Sequence, residues 1–248
     1  MTETQWIEFQ KLRQSYKRYI DELSRSLPQL GRLISQLLEE RSVLTYPVET
    51  PIVYNQALEQ VNKDSQIKLI LVADNPGQRE QSAEYRRYLV GPSGKLADSF
   101  FRKHSDLGIN FHQQVLILNK TPIHTPRTGE LRDLERLGGH EITLALEQSQ
   151  REMACLAYQF HALFAPETDL WIIGYSEMGR GKLFEAFTET LQTAYAENSR
   201  SNKSIYLYRH FSMNQFSIDF NKQHLASEST RETLQRIGYQ YRKRILGW

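Results

Sequence analysis

The chain has 248 residues, of which 40% are hydrophobic and 24% charged, and its formal net charge of +2 is too small to indicate nucleic-acid binding by itself. Its single cysteine, Cys155, excludes an internal disulfide and a cysteine-ligated cluster. No apolar run reaches the roughly 18 residues that a membrane span needs, and the amino terminus shows no signal peptide, so we expect a cytoplasmic protein with no membrane contact.

The beginning of the chain is predicted to be a helical extension. Hydrophobic residues recur every three or four positions over 2–26 and again over 30–38. This spacing predicts two amphipathic helices that pack on a larger domain. Residues 43–65 predict a connection with one helical turn. We place the boundary between an N-terminal helical extension, residues 1–60, and an α/β domain, residues 61–248.

The first predicted strand is a nearly continuous apolar run over residues 67–73. It stops at Asp74, Asn75, Pro76 and Gly77, where proline cannot donate to a sheet and glycine permits a turn. Two polar side chains thus stand just past the carboxyl end of a strand, where open parallel sheets bind ligands. The same four residues are also common in ordinary turns, so an ordinary turn stays an alternative.

Strands and helices alternate along the rest of the chain, which predicts an α/β fold. We expect a three-layer α/β/α arrangement with a four-stranded parallel sheet. Because parallel strands share one carboxyl edge, Asp74, Asn75, Asn119, Gly174 and His210 should converge there. The further predicted strands cover 114–118, 170–173 and 205–208; the helices cover 95–104, 141–164, 182–196 and 227–246; the long loops cover 78–94 and 122–139.

Several kinds of site lack their signature in the sequence. No GxxxxGK[ST] or GxGxxG loop follows a strand, and no Gly-x-Ser-x-Gly elbow occurs. The histidines are scattered without metal-ligand spacing. We therefore expect neither a cofactor nor a bound metal.

Four short segments follow one another at or near the ends of predicted strands. They are Asp74-Asn75-Pro76-Gly77, Leu89-Val90-Gly91-Pro92-Ser93-Gly94, Leu116-Ile117-Leu118-Asn119 and His210-Phe211-Ser212. Their order and spacing resemble the uracil-DNA glycosylase superfamily over roughly residues 66–245. The resemblance implies a four-stranded parallel sheet between helices, DNA as partner, and hydrolysis of the N-glycosidic bond of uracil or a related deaminated base. The cluster cysteines of some branches are absent.

The resemblance also implies roles for the residues that match. Asp74 or Asn75 would hold a water molecule below the anomeric carbon of the sugar, and His210 would donate to the O2 atom of the leaving base. Asn119 would read the pyrimidine edge, because one amide complements the O4 and N3–H of uracil. A turn-forming asparagine at a strand end is an equal alternative for Asn119.

The resemblance also implies residues that would contact the base and the DNA backbone, and several of these differ from the family pattern. Leu89 stands where the family has a stacking phenylalanine, with Tyr88 beside it; Ala73 replaces a glycine; the wedge leucine falls at Asn214, with Phe216 nearby. These changes are expected to weaken the binding of duplex DNA more than the recognition of the base. Residues assigned to phosphate or DNA binding are Gly77, Gly91, Ser93, Gly94, Ser212 and Asn214.

Two other functions stay open. The chain could be a non-catalytic or weakly catalytic nucleic-acid-binding protein on the same fold, or an enzyme acting on free nucleosides or nucleotides. The basic end of the last helix, Arg242 to Arg244, separates these alternatives. If it lines the edge that carries Asn75, DNA is favoured; if it points away, it is a solvated helix end.

Overall fold

A computed structural model describes residues 1–40, 46–196 and 204–248 of the chain. These residues contain eight α-helices and four β-strands. The strands are β1 (Leu69–Ala73), β2 (Val115–Asn119), β3 (Asp169–Ile173) and β4 (Ile205–Tyr208). The helices are α1 (Glu3–Ser26), α2 (Leu30–Glu40), α3 (Pro92–Lys103), α4 (Phe111–Gln114), α5 (Leu131–Phe164), α6 (Glu185–Ala196), α7 (Gln215–Gln223) and α8 (Thr230–Leu246).

The four strands form one parallel sheet in the order β2-β1-β3-β4. β1 is central and fully buried, as its continuous apolar sequence predicts. In the register of the sheet, Ala73 lies beside Asn119 and Ile173 lies beside Tyr208. The carboxyl ends of all four strands therefore meet at one edge.

The two faces of the sheet bury different kinds of side chain. One face carries aliphatic residues such as Val72 and Leu118, which pack against α1, α2, α5 and α6. The other face carries Trp171 and Tyr208, and an aromatic layer from α3, α7 and α8 covers it. Helices thus cover both faces, and the predicted three-layer α/β/α fold is confirmed.

Some elements differ from the prediction. Residues 131–139 belong to α5 rather than to a loop, and α5 kinks at Gly139, where φ is 64° and ψ is −156°. The sequence did not indicate this part of the helix, because the adjacent glycines Gly138 and Gly139 are typical of a loop. The short helix α7 was not predicted, because only Phe216 and Phe220 of its nine residues are buried.

The N-terminal residues are joined closely to the rest of the molecule. Buried side chains of α1 and α2, such as Phe9 and Ile34, belong to the same core as the aliphatic face of the sheet. The segment that follows α2 also reaches the sheet edge, since Ile52 forms an antiparallel bridge with Ile123. Residues after α2 therefore brace the segment that follows β2.

Candidate active site

A buried ion pair occupies the carboxyl end of β1. Lys120, the residue after β2, is 0% exposed, and its Nζ donates to Asp74 Oδ1 at 2.5 Å and to the carbonyl oxygen of Ile173 at 2.5 Å. The Phe184 ring lies 4.9 Å from the same nitrogen. Burial lowers the pKa of Lys120, and the charge of Asp74 acts in the opposite direction. In the sequence, nothing distinguishes Lys120 from an exposed lysine that follows a strand.

Gly174 lets the end of β3 approach this pair. Its φ is 81°, and a Cβ atom at this position would lie 2.3 Å from Asp74 Oδ1. Only glycine combines this backbone conformation with this contact. The other carboxylate oxygen of Asp74, Oδ2, accepts a long hydrogen bond of 3.4 Å from the Thr128 hydroxyl.

Asn75 has a fixed orientation beside the ion pair. Its amide NH₂ donates to Thr125 Oγ1 at 2.9 Å and, over 3.4 Å, to the carbonyl oxygen of Ile123. The side-chain contacts of Asn75 are thus made by its nitrogen, which leaves Oδ1 to accept from a water or a ligand. The residue itself is only partly buried.

Asn119 is the most unusual polar residue of this edge. It is 1% exposed, yet neither its Nδ2 nor its Oδ1 has a hydrogen-bond partner in the part of the chain that the structure describes. Buried polar side chains nearly always have partners, and an unsatisfied one costs about 1–3 kcal/mol. Asn119 pairs in register with Ala73 and so points to the aromatic face of the sheet. Its amide therefore has one donor and one acceptor function open to a ligand.

His210 stands two residues after β4, with a defined tautomer. The backbone N–H of Ser212 donates to its Nδ1 at 3.0 Å, and the Ser212 hydroxyl lies 2.9 Å from the same nitrogen. A nitrogen that accepts from an N–H carries no proton, so the proton of a neutral ring lies on Nε2. Burial lowers the pKa of His210, and Lys120 adds to this while Asp74 opposes it. A neutral imidazole with Nε2–H as donor results.

Two further buried groups brace the turn after β1. Glu80 accepts from the backbone N–H of Gly77 at 3.1 Å, and burial raises its pKa to about 7. His124 Nδ1 donates to the carbonyl oxygen of Pro76 at 2.8 Å, and burial lowers its pKa to about 4. Neither residue was predicted, because a glutamate in a polar stretch and an isolated histidine give no local signal of burial.

The end of the loop before α3 is buried at Tyr88 and Leu89. Leu89 has a φ of 52°, and Gly94 packs so tightly that a Cβ would lie 1.5 Å from the Leu89 carbonyl oxygen. The hydroxyl of Tyr88 donates to the carbonyl oxygen of Val53 and contacts Tyr16 of α1 at 2.7 Å. The structure thus turns the ring of Tyr88 into the interior, towards α1, and not towards a base at the sheet edge.

The phosphate-binding candidates lie in two loops. Gly91 is the N-cap of α3, and the partly exposed Ser93 lies in its first turn, where helix N–H groups favour anions. On the other side, Ser212 and Asn214 are exposed beyond His210.

One apolar side chain stands out between these exposed residues. Met213 is 83% exposed, and its φ of 52° differs from ordinary helical geometry. Phe216, by contrast, is buried against Phe211 and Trp171 and cannot reach a duplex.

The two arginines at the basic end of α8 lie in different places. Arg242 is buried and donates to the carbonyl oxygens of Ile205, at the amino end of β4, and of Trp248. Arg244 lies over the Tyr175 ring, 5.2 Å from its centroid, and Tyr175 directly follows Gly174. Arg244 alone of these two thus reaches the edge that carries the candidate site.

Comparisons with known proteins add no assignment. A scan against models of protein families and a search of curated proteins both found no match. Among the described residues, no helix combines the length and apolar character needed to cross a membrane. What the chain does has to be inferred from its own residues.

Proposed function

We propose that the chain hydrolyses the N-glycosidic bond of uracil or a related deaminated base in DNA. The observation that carries this proposal is the buried amide of Asn119, which has no partner within the described residues. Uracil presents O4 as acceptor next to N3–H as donor, and one amide group satisfies both. A base bound there would remove the cost of the two unsatisfied atoms.

His210 supports the same reaction. Its Nε2–H is the free donor of the ring, because Nδ1 accepts from the backbone of Ser212. In the proposed reaction, this N–H donates to O2 of the base while the leaving base gains negative charge. A donor aimed at developing charge typically contributes about 10²–10³ in rate. The lowered pKa keeps the ring neutral at neutral pH, so the tautomer is defined.

Asn75 and Asp74 supply the remaining step. The Oδ1 of Asn75, which its own NH₂ contacts leave open, orients a water molecule towards the anomeric carbon. An amide orients water but does not accept its proton. As the water bonds to the anomeric carbon, the glycosidic bond breaks and its electron pair leaves with the base. Asp74 is the carboxylate nearest in sequence; Lys120 holds its Oδ1, so its Oδ2 is the atom assigned to take the proton that the water loses.

The same ion pair favours a second candidate, a nucleic-acid-binding protein on this fold with little or no catalysis. A carboxylate tied to a buried lysine and to Gly174 has little freedom to accept a proton. The base-binding amide would then serve recognition alone. Only the presence of abasic product separates the two candidates.

A cleavage assay on labelled oligonucleotides tests the proposal. The substrates contain uracil, hypoxanthine or xanthine, in single and double strands, and the variants are Asp74→Ala and Asn75→Ala. Unmodified cytosine is the matched control, because it reverses the donor and acceptor that uracil presents. Abasic product from the wild type that one variant loses supports the enzyme. No product from any substrate, with a folded protein that still binds DNA, contradicts it and leaves the binding protein.

A further inference from the structure

Two tyrosine rings in close, tilted contact lie beside the candidate site. The ring centroids of Tyr175 and Tyr241 are 4.3 Å apart. The Arg244 guanidinium carbon lies 5.2 Å from the first ring centroid and 4.9 Å from the second. Within the described chain, no carboxylate forms an ion pair with Arg244. The residue is exposed, and both rings lie within the distance of a cation–π contact.

A second arginine approaches the same tyrosines. Arg209, the residue before His210, is half exposed; its Nη1 donates to Gln215 Oε1 at 3.3 Å, and its Nε lies 3.7 Å from Asp219 Oδ1. Asp219 itself accepts from the Tyr241 hydroxyl at 2.9 and 3.0 Å. The one carboxylate of this cluster is therefore already engaged by an arginine and a tyrosine.

The position of the cluster links it to the site. Tyr175 follows Gly174, which packs on the Asp74 carboxylate, and Arg209 precedes His210. The backbone N–H of Gly174 also donates to the carbonyl oxygen of Tyr208 at 2.9 Å. Arg209 thus adjoins His210 in the sequence, and Arg244 reaches the same edge through its contact with the ring of Tyr175.

We propose that Arg244 and Arg209, supported by Tyr175 and Tyr241, form a phosphate-binding platform for the nucleic-acid strand that carries the base. This inference rests on the proposed function, since it takes the same nucleic acid as the ligand. Stacking on a ring leaves the edge N–H groups of a guanidinium free for two parallel hydrogen bonds to a phosphate. The platform contacts the backbone and not the bases, so it acts on any sequence.

The test is the salt dependence of binding to a labelled, unmodified single-stranded oligonucleotide. Lys243→Gln is the matched control for Arg244→Gln, because Lys243 is the adjacent exposed cation of α8. Loss of one phosphate contact reduces the slope of log affinity against log salt by about one unit. We expect this reduction, with a several-fold weaker affinity at low salt, for Arg244→Gln and Arg209→Gln and not for Lys243→Gln. Arg244→Lys should keep the slope, because it keeps the charge.

The outcomes separate this inference from the proposed function. Equal slopes for Arg244→Gln, Lys243→Gln and the wild type overturn the platform and leave the proposed reaction untouched. A reduced slope for Arg244→Gln in a protein that yields no abasic product supports the platform and contradicts the reaction. A wild type that shows no salt-dependent binding contradicts both. Circular dichroism and thermal unfolding of each variant confirm that the comparison is between folded proteins.

Discussion

Two adjacent residues at the end of β2 show opposite ways of burying a polar group. Lys120 is fully buried and its Nζ has two close oxygen partners, whereas Asn119 is equally buried and has none in the described chain. Successive residues of a strand point to opposite faces. Lys120 accordingly lies against Phe184 of the aliphatic core, and Asn119 pairs with Ala73 of the aromatic layer.

The difference indicates two kinds of role. A satisfied ion pair is expensive to break, at about 3–5 kcal/mol when one partner is removed. An unsatisfied amide already costs about 1–3 kcal/mol, and its removal returns that cost. Lys120 therefore stabilises the folded protein, whereas Asn119 lowers its stability and has to be explained by another role.

The largest effect is expected on stability, at the ion pair. Lys120→Met leaves the Asp74 carboxylate buried without its partner and should lower the free energy of unfolding by about 3–5 kcal/mol. Urea denaturation followed by circular dichroism measures the change. Lys243→Met, at an exposed position, should stay within about 0.5 kcal/mol. A Lys120→Met protein as stable as the wild type would mean that the pair does not hold the edge together.

The next effect concerns His210. His210→Asn keeps an oxygen that can accept from Ser212 but removes Nε2–H, and should slow cleavage by about 10²–10³. Burial lowers the pKa of His210 below the ordinary histidine value of 6.5. The ring is therefore still neutral at pH 6.5 and becomes protonated only at a lower pH. The wild-type rate should be level from pH 6.5 upward and fall as the pH drops through the lowered pKa. Cleavage that accelerates on acidification would contradict a neutral donor.

Glu80 gives a smaller, pH-dependent effect. Its pKa in the folded state, about 7, lies above its ordinary value of 4.5, so the folded protein binds the proton more tightly. The stability that Glu80 contributes is complete below pH 4.5 and is lost as the pH rises to about 7, by about 3 kcal/mol at most. Glu80→Gln lacks this dependence. Because glutamine resembles the protonated carboxyl, the two proteins should be about equally stable near pH 4.5, and the wild type should become the less stable one as the pH rises to 8; parallel curves would place the Glu80 carboxyl in water.

The smallest effect is expected at the exposed end of the site. Met213 is the exposed apolar side chain next to His210, and an apolar group inserted between bases helps to hold a flipped nucleotide. Met213→Ala should lower cleavage of double-stranded substrate by about tenfold, since roughly 1–2 kcal/mol of apolar burial is lost. Single-stranded substrate should be unaffected. Asn214→Ala, one residue away, is the control; if it alone impairs duplex cleavage, the wedge is Asn214.

Much of the fold follows from sequence, for identifiable reasons. The apolar run of β1 and the regular alternation of strands and helices set a parallel sheet, and a parallel sheet gathers Asp74, Asn119 and His210 at one edge. The helix α7 was not predicted, because its two buried phenylalanines are too few to show the hydrophobic period of a helix. The first turns of α5 were not predicted, because two adjacent glycines are typical of a loop.

The details of the site could not be predicted, because they depend on contacts between distant segments. Lys120 reads as a solvated charge after a strand, and only the approach of β3 at Gly174 shows that it is enclosed. Tyr88 reads as a candidate for stacking on a base, and only its contact with Tyr16, 72 residues earlier, turns it inward. The lack of hydrogen-bond partners for the Asn119 amide, among the residues that the structure describes, is likewise a property of the assembled edge and not of its neighbours in sequence.

In the proposed function, Asn119 leaves its amide without a partner in the described chain so that a base can bind there. The substitution Asn119→Leu replaces the amide by an apolar side chain of similar size. Release of uracil from an oligonucleotide under single-turnover conditions is measured with thermal unfolding on the same preparations. We predict that cleavage falls at least about 10²-fold while the unfolding temperature stays equal or rises, because the cost of the unsatisfied amide is removed. Retained cleavage, or an unfolding temperature lowered by several degrees, would contradict the claim.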